Sequence, residues 1–176
     1  MTGEWYDKLR REWKPEPVKL LLVGESAPDP GASERRFFYA PTLDRRDNLF
    51  RGVVEALYDP IPRGSTGQPK RPWLERLQAD GIYVVDLAPF PVDKLTSGAR
   101  RRARRDHVAA LVEQARALDP QGVIVCHAPT YADAAPALRA AGLTVLHDDP
   151  LPFPLGNTRA RFVAGVRTAL AGSGRS

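Results

Sequence analysis

Apolar positions along the chain fall into two kinds of segment. Four are short and nearly continuous: Val18–Gly24 (VKLLLVG), Ile82–Leu87, Gly122–Cys126 and Leu143–His147. Runs of this length, without alternation, are expected of strands covered on both faces. Between them the apolar residues recur at helical spacing. Trp5, Leu9 and Trp13 mark a short helix over residues 4–13, ended by Pro15 and Pro17. Leu49, Val53, Ala56 and Leu57 mark one over Asn48–Tyr58. Further helices are predicted over Trp73–Gln78, Ala99–Leu118, Tyr131–Ala141 and Thr158–Leu170, the last capped by Asn157 or Thr158. The Pro/Gly-rich residues 59–72 read as a mobile connection, and the tail AGSGRS (171–176) as frayed.

Strands alternating with helices predict an α/β fold. The expected form is one domain over residues 1–176, with a four-stranded parallel sheet as the middle of three α/β/α layers. Ligands of such sheets bind beyond the carboxyl ends of the strands. Those ends read GESAP, DLAPFP, CHAPT and HDDP. Each sets a polar group next to proline, and together they suggest a single shaped pocket.

Composition narrows the classes. The 176 residues are 43% hydrophobic, enough for a core, and carry a net charge of +5, which permits an anionic partner. No run is long enough to cross a membrane, and no signal-peptide core is evident. The single cysteine, Cys126, excludes an internal disulfide and any cluster needing four cysteines from this chain. A reducing, cytoplasmic location and a monomer are the expectation. Phosphate-binding GxxxxGK[ST], dinucleotide-binding GxGxxG and the G-x-S-x-G nucleophile turn are all missing. The histidines at 107, 127 and 147 are not spaced as local metal ligands, although His127 and His147 could meet in space. No metal or cofactor is expected.

The order of motifs at the strand ends resembles the uracil-DNA glycosylase superfamily, over about Val18 to Leu170. Gly24-Glu25-Ser26-Ala27-Pro28 matches its catalytic turn, and Phe37-Phe38-Tyr39 its aromatic segment. Asp86 stands at the base-reading position. His147-Asp148-Asp149-Pro150, followed by Leu151–Asn157, matches its last, DNA-wedging motif. Three departures point to a divergent branch without an iron–sulfur cluster: Pro28 falls one position late, Asp86 replaces the usual Asn, and four cysteines are lacking. The resemblance implies DNA as partner, duplex or single-stranded, and excision of a deaminated or damaged base. It implies Glu25 and His147 as catalytic residues, and Phe37, Phe38, Tyr39 and Asp86 as the base site. Leu151, Phe153, Leu155, Asn157, Arg159 and Arg161 would then contact DNA.

The chemistry has its own logic. Breaking a C1′–N bond puts positive charge on the sugar and negative charge on the leaving base. An anion near the sugar and a donor near the base oxygen lower that barrier. Glu25 suits the first role and His147 the second, and an aromatic platform suits a base taken out of its stack. Other roles fit the same residues. Phe37–Tyr39 could pack their loop onto the sheet, Asp86 could cap a helix or pair with an arginine, and Arg100–Arg105 could be a solvated face or a phosphate site. Two other functions also remain: a non-catalytic nucleic-acid or nucleotide-binding module, and a small-molecule hydrolase using Glu25 and His147.

Overall fold

A computed structural model describes residues 2–29 and 36–174 of the chain. The elements, in order, are α1 (Thr2–Glu12), β1 (Leu20–Gly24), α2 (Asn48–Leu57), α3 (Arg71–Ala79), β2 (Ile82–Asp86), α4 (Ser97–Asp106), α5 (Val108–Leu118), β3 (Gly122–Val125), α6 (Ala128–Ala140) and α7 (Arg159–Gly172). A 3-10 turn, Gly156–Thr158, leads into α7. The class is α/β, as the sequence pattern predicts. The helix expected over Ala99–Leu118 is two helices that break at His107. The last helix runs on to Gly172, so the start of the tail is ordered, and residues 175–176 lie outside the described residues.

Three strands form one parallel sheet in the order β2-β1-β3. Leu22 stands opposite Val84 on one side and Ile124 on the other. Every residue of β1 is buried, so both sheet faces are covered. Right-handed crossovers account for this. The chain leaves β1 toward β2, then reverses across β1 to reach β3, and so deposits helices on opposite faces. The helix contacts agree, with α2 packed on α7 in one group and α4 and α5 on α6 in the other.

The expected fourth strand is reduced to one parallel bridge, Val123 to Val145. Its backbone exchanges two hydrogen bonds with Val123, through Thr144 O at 2.8 Å and Leu146 N at 2.9 Å. One position further, the His147 imidazole replaces the ladder: Val125 N–H donates to His147 Nε2 at 3.0 Å. A side chain has taken the place of a backbone carbonyl, so pairing stops. The segment is also half exposed from Leu143 to Leu146, as suits a sheet edge.

The connection read as mobile is anchored. Thr42 bridges Pro69, and Lys70 N–H donates to Pro41 O at 2.8 Å. Lys70 itself is fully buried, its ammonium 2.5 Å from Asp47 Oδ2, 3.0 Å from Phe37 O and 4.2 Å from the Phe50 ring centroid. Burial drives the Asp47 carboxyl upward and the Lys70 amine downward, against their mutual attraction. This pair ties the 59–70 connection to the loop that carries the aromatic segment.

Candidate active site at the carboxyl edge of the sheet

A cavity of about 400 Å³ opens beyond the ends of β1 and β2. Such a volume lies within the range of small-molecule sites, roughly 300–1,000 Å³. Its wall is built first from the turn after β1, Gly24 to Pro28, and from Phe37 and Phe38. Asp86 enters from the end of β2, and His127 from the end of β3. Phe153 and Leu155 stand at the opening, exposed by 37% and 57%.

Glu25 is the most heavily held group. Arg100 donates through both Nε and Nη2 to Glu25 Oε1, the former at 3.0 Å. Arg104 Nη1 donates to Oε2 at 2.8 Å, and His127 Nδ1 lies 3.9 Å from the same oxygen. Burial pushes the carboxyl up, but these partners outweigh it and hold it below the usual range. Glu25 is therefore an oriented anion. Arg104 is fixed in turn by Asp133 Oδ2 at 2.8 Å.

Asp86 accepts from Arg10 Nη2 at 2.9 Å through Oδ2. Its Oδ1 has no hydrogen-bond partner among the described residues and lies over Gly24, where a Cβ would come within 2.6 Å. A Cβ at Gly24 would therefore displace the Asp86 carboxyl, a constraint of close approach and not of backbone angles. Burial raises the Asp86 carboxyl against the pull of Arg10. Of the roles the sequence leaves open to Asp86, base reader, helix cap or arginine partner, the geometry shows the arginine pairing and leaves one oxygen for a base edge.

The aromatic segment divides. Phe37 and Phe38 line the cavity, although each is almost fully buried. Phe37 is backed by Tyr6 at 4.4 Å between ring centroids and by Trp5 at 5.8 Å. Tyr39 does not reach the cavity. Its hydroxyl accepts from Val84 N–H at 2.7 Å, on the edge of β2 away from β1. The expectation of Tyr39 as a base contact gives way to an edge cap.

His147 also stands elsewhere. Its Nε2 is occupied by Val125 N–H, and Nδ1 donates to Asp149 O at 2.8 Å. Both nitrogens serve the backbone, Tyr131 covers the ring at 4.9 Å, and burial lowers its pKa. Glu25 and His147 therefore do not meet in one pocket. The histidine beside Glu25 is His127, which occupies the N-cap position of α6 without a side-chain cap bond. Its Nδ1 contacts Thr130 Oγ1 at 2.8 Å, and Nε2 has no hydrogen-bond partner among the described residues. Burial lowers its pKa, Glu25 opposes this, and Arg100 and Arg104 reinforce it, so the ring is neutral near pH 7. The signal for His127 was its place directly after an apolar strand, with Thr130 three residues on.

The wedge segment is likewise mixed. Leu151 is buried against Gly165, where a Cβ would meet its Cδ2 at 2.4 Å, so it is core and not wedge. Phe153 and Leu155 project at the mouth, and the Phe153 ring stands edge-on to His127 at 6.3 Å. Asn157 and Arg161 are exposed beside them. Arg159 Nη2 donates to Asn48 Oδ1 at 3.2 Å, and Asn48 lines the cavity. Arg36, Arg46 and Arg100 add positive charge to the wall and Asp93 a further carboxylate.

Cys126 is buried, its thiol pushed up to about 12 by burial, which leaves it unreactive. Among the described residues no group of three or more His, Cys, Asp or Glu could hold a metal ion. No helix among them is long and apolar enough to cross a membrane. Compared with known families, the chain matches no family model, and no curated protein matches it significantly.

Proposed function

We propose that this chain is a monofunctional DNA glycosylase that receives a flipped, deaminated or damaged base in the Glu25–Asp86–His127 cavity. The observation that supports it best is the convergence of five side chains in one space of suitable size: an oriented carboxylate, an imidazole with a free nitrogen, a second carboxyl with one unpaired oxygen, and two phenyl rings. The order of strand-end motifs resembling uracil-DNA glycosylases supports the same reading.

The catalytic work divides as follows. As the C1′–N bond breaks, the sugar gains positive charge, which the Glu25 anion stabilises. Water attacks C1′ and its hydroxyl oxygen becomes the new substituent. The bonding electrons leave with the base. With the Thr130 hydroxyl donating to His127 Nδ1, Nε2–H is directed at a base oxygen and stabilises the departing anion; water's remaining proton goes to the base. Asp86 Oδ1 meets a donor on the base edge.

The test is a panel of oligonucleotides carrying uracil, hypoxanthine, xanthine or alkylated bases, followed by alkaline cleavage at abasic sites. Excision of at least one base is expected, with His127→Ala lowering its rate by roughly hundredfold while DNA binding persists. Two arginines on Glu25 also favour a second reading, a non-catalytic nucleic-acid-binding module in which Glu25 only builds the wall. Salt-dependent DNA binding without abasic products across the panel would establish that reading instead.

A further inference from the structure

A second cavity, of about 290 Å³, adjoins the first and shares Glu25, Arg100 and His127 with it. Its remaining wall is Leu95, Ser97, Arg104 and Pro129. Ser97 begins α4 and Pro129 belongs to the first turn of α6, so two helix starts face the same space. The sole carboxylate lining it is Glu25, against two guanidinium groups.

These two arginines are not held alike. Arg104 is clasped from both sides, by Glu25 and by Asp133, and its side chain is 10% exposed. Arg100 has Glu25 as its one carboxylate partner among the described residues, and its side chain is 35% exposed. Arg100 lines both cavities, and Arg104 only the second. Arg100 can therefore turn into the second cavity without leaving Asp133 unpaired, and Glu25 keeps one cation when it does.

Resting on the glycosylase reading, we infer that the second cavity is a phosphate subsite and Arg100 its latch. A phosphate of the substrate strand enters the second cavity and takes the Arg100 guanidinium, with the Ser97 hydroxyl as a further donor. Guanidinium and phosphate pair in the same bidentate manner as guanidinium and carboxylate, so the exchange conserves hydrogen bonds. Glu25 Oε1 is released from two of its donors and becomes free to accept from the attacking water, while Arg104 still holds Oε2. Without phosphate the clamp keeps Glu25 unable to orient water. Excision is thus coupled to seating of the strand.

The experiment is an NMR titration with inorganic phosphate at constant ionic strength, following the Nε–Hε signals of Arg100 and Arg104. Trithymidylate, as a phosphodiester strand, and thymidine 5′-monophosphate, as a monoester, are titrated in parallel. A saturable shift of the Arg100 signal larger than that of Arg104 is expected, with trithymidylate reproducing it. Arg100→Ala should weaken phosphate binding by about tenfold or more. Arg105→Ala, which alters an exposed partner of Asp133 outside both cavities, should leave it unchanged. An Arg100 signal indifferent to phosphate, or equal affinity in Arg100→Ala, overturns the subsite. A shift with the monoester alone overturns the strand as its source. None of these readouts requires base excision: intact oligonucleotides with a shifting Arg100 reject the glycosylase alone, and excision with an unmoved Arg100 rejects the latch alone.

Discussion

His147 and His127 differ in what their ring nitrogens can still do. Both have lowered pKa values from burial. His147 spends Nε2 on Val125 N–H and Nδ1 on Asp149 O, an arrangement that only the neutral ring can make. Protonation would turn Nε2 into a donor facing another donor. The sign of the pH effect follows. The unfolded chain binds a proton at His147 near 6.5 and the folded chain only at lower pH. Its contribution to stability is thus complete above about pH 6.5 and is lost as pH falls through the unfolded value toward the folded one. Urea unfolding at pH 7.5 and pH 5.5 should show a loss on acidification that is smaller in His147→Asn than in the parent chain. An equal loss in both would mean that His147 is not held as a neutral acceptor. Acidification also touches Asp47, whose value, raised to about 7, acts in the opposite sense, so the difference between the two chains is the informative quantity.

Among the elements, β2 has one neighbouring strand, β1, and its other edge is closed locally by a side chain. The Tyr39 hydroxyl accepts from Val84 N–H at 2.7 Å and donates to Val84 O at 3.3 Å. Tyr39→Phe keeps the ring packing on Phe38 and removes both bonds. It leaves two buried backbone groups unsatisfied and should cost about 1–3 kcal/mol. Hydrogen exchange at the Val84 amide should accelerate while that of Leu22 stays protected, and an unchanged Val84 rate would show that the edge is covered otherwise. The sequence announced β1, β2 and β3 because apolar runs buried on both faces leave little ambiguity. It announced Glu25 and Asp86 because each stands at the carboxyl end of such a run. It could not announce Tyr39 as an edge cap, since its partner Val84 lies forty-five residues away in sequence. Nor could it separate His127 from His147. Both follow apolar runs, and only the early end of pairing at Leu143–Leu146 turns His147 into part of the sheet edge. Arg104, Arg10 and Lys70 were hidden for a similar reason: a charged residue read alone looks exposed, and its buried partner is visible only in three dimensions.

At the scale of the whole molecule, the cavity mouth joins charge and apolar surface. Phe153 and Leu155 are two of the four large hydrophobic residues exposed among those described, and they line the same cavity as Arg36, Arg46 and Arg100. Pro152 and Pro154 flank Phe153 and limit the freedom that the loop loses on docking. Pro154 is wedged over Gly52, where a Cβ would lie 2.6 Å from it, so the loop stands on α2 as on a base. On the proposed glycosylase reading, Phe153 and Leu155 would fill the gap left by an extruded base. A duplex must be unstacked before its base can enter, whereas a single strand needs no filler. Phe153→Ser with Leu155→Ser should therefore reduce excision from duplex DNA by roughly tenfold or more and leave excision from the same single strand nearly unchanged. Core packing does not enter, because both side chains are exposed and Leu151 and Pro154 remain to hold the loop. A parallel loss on both substrates would place these residues in the base site itself, and no loss on either would move the wedge to the remaining exposed pair, Phe90 and Leu95.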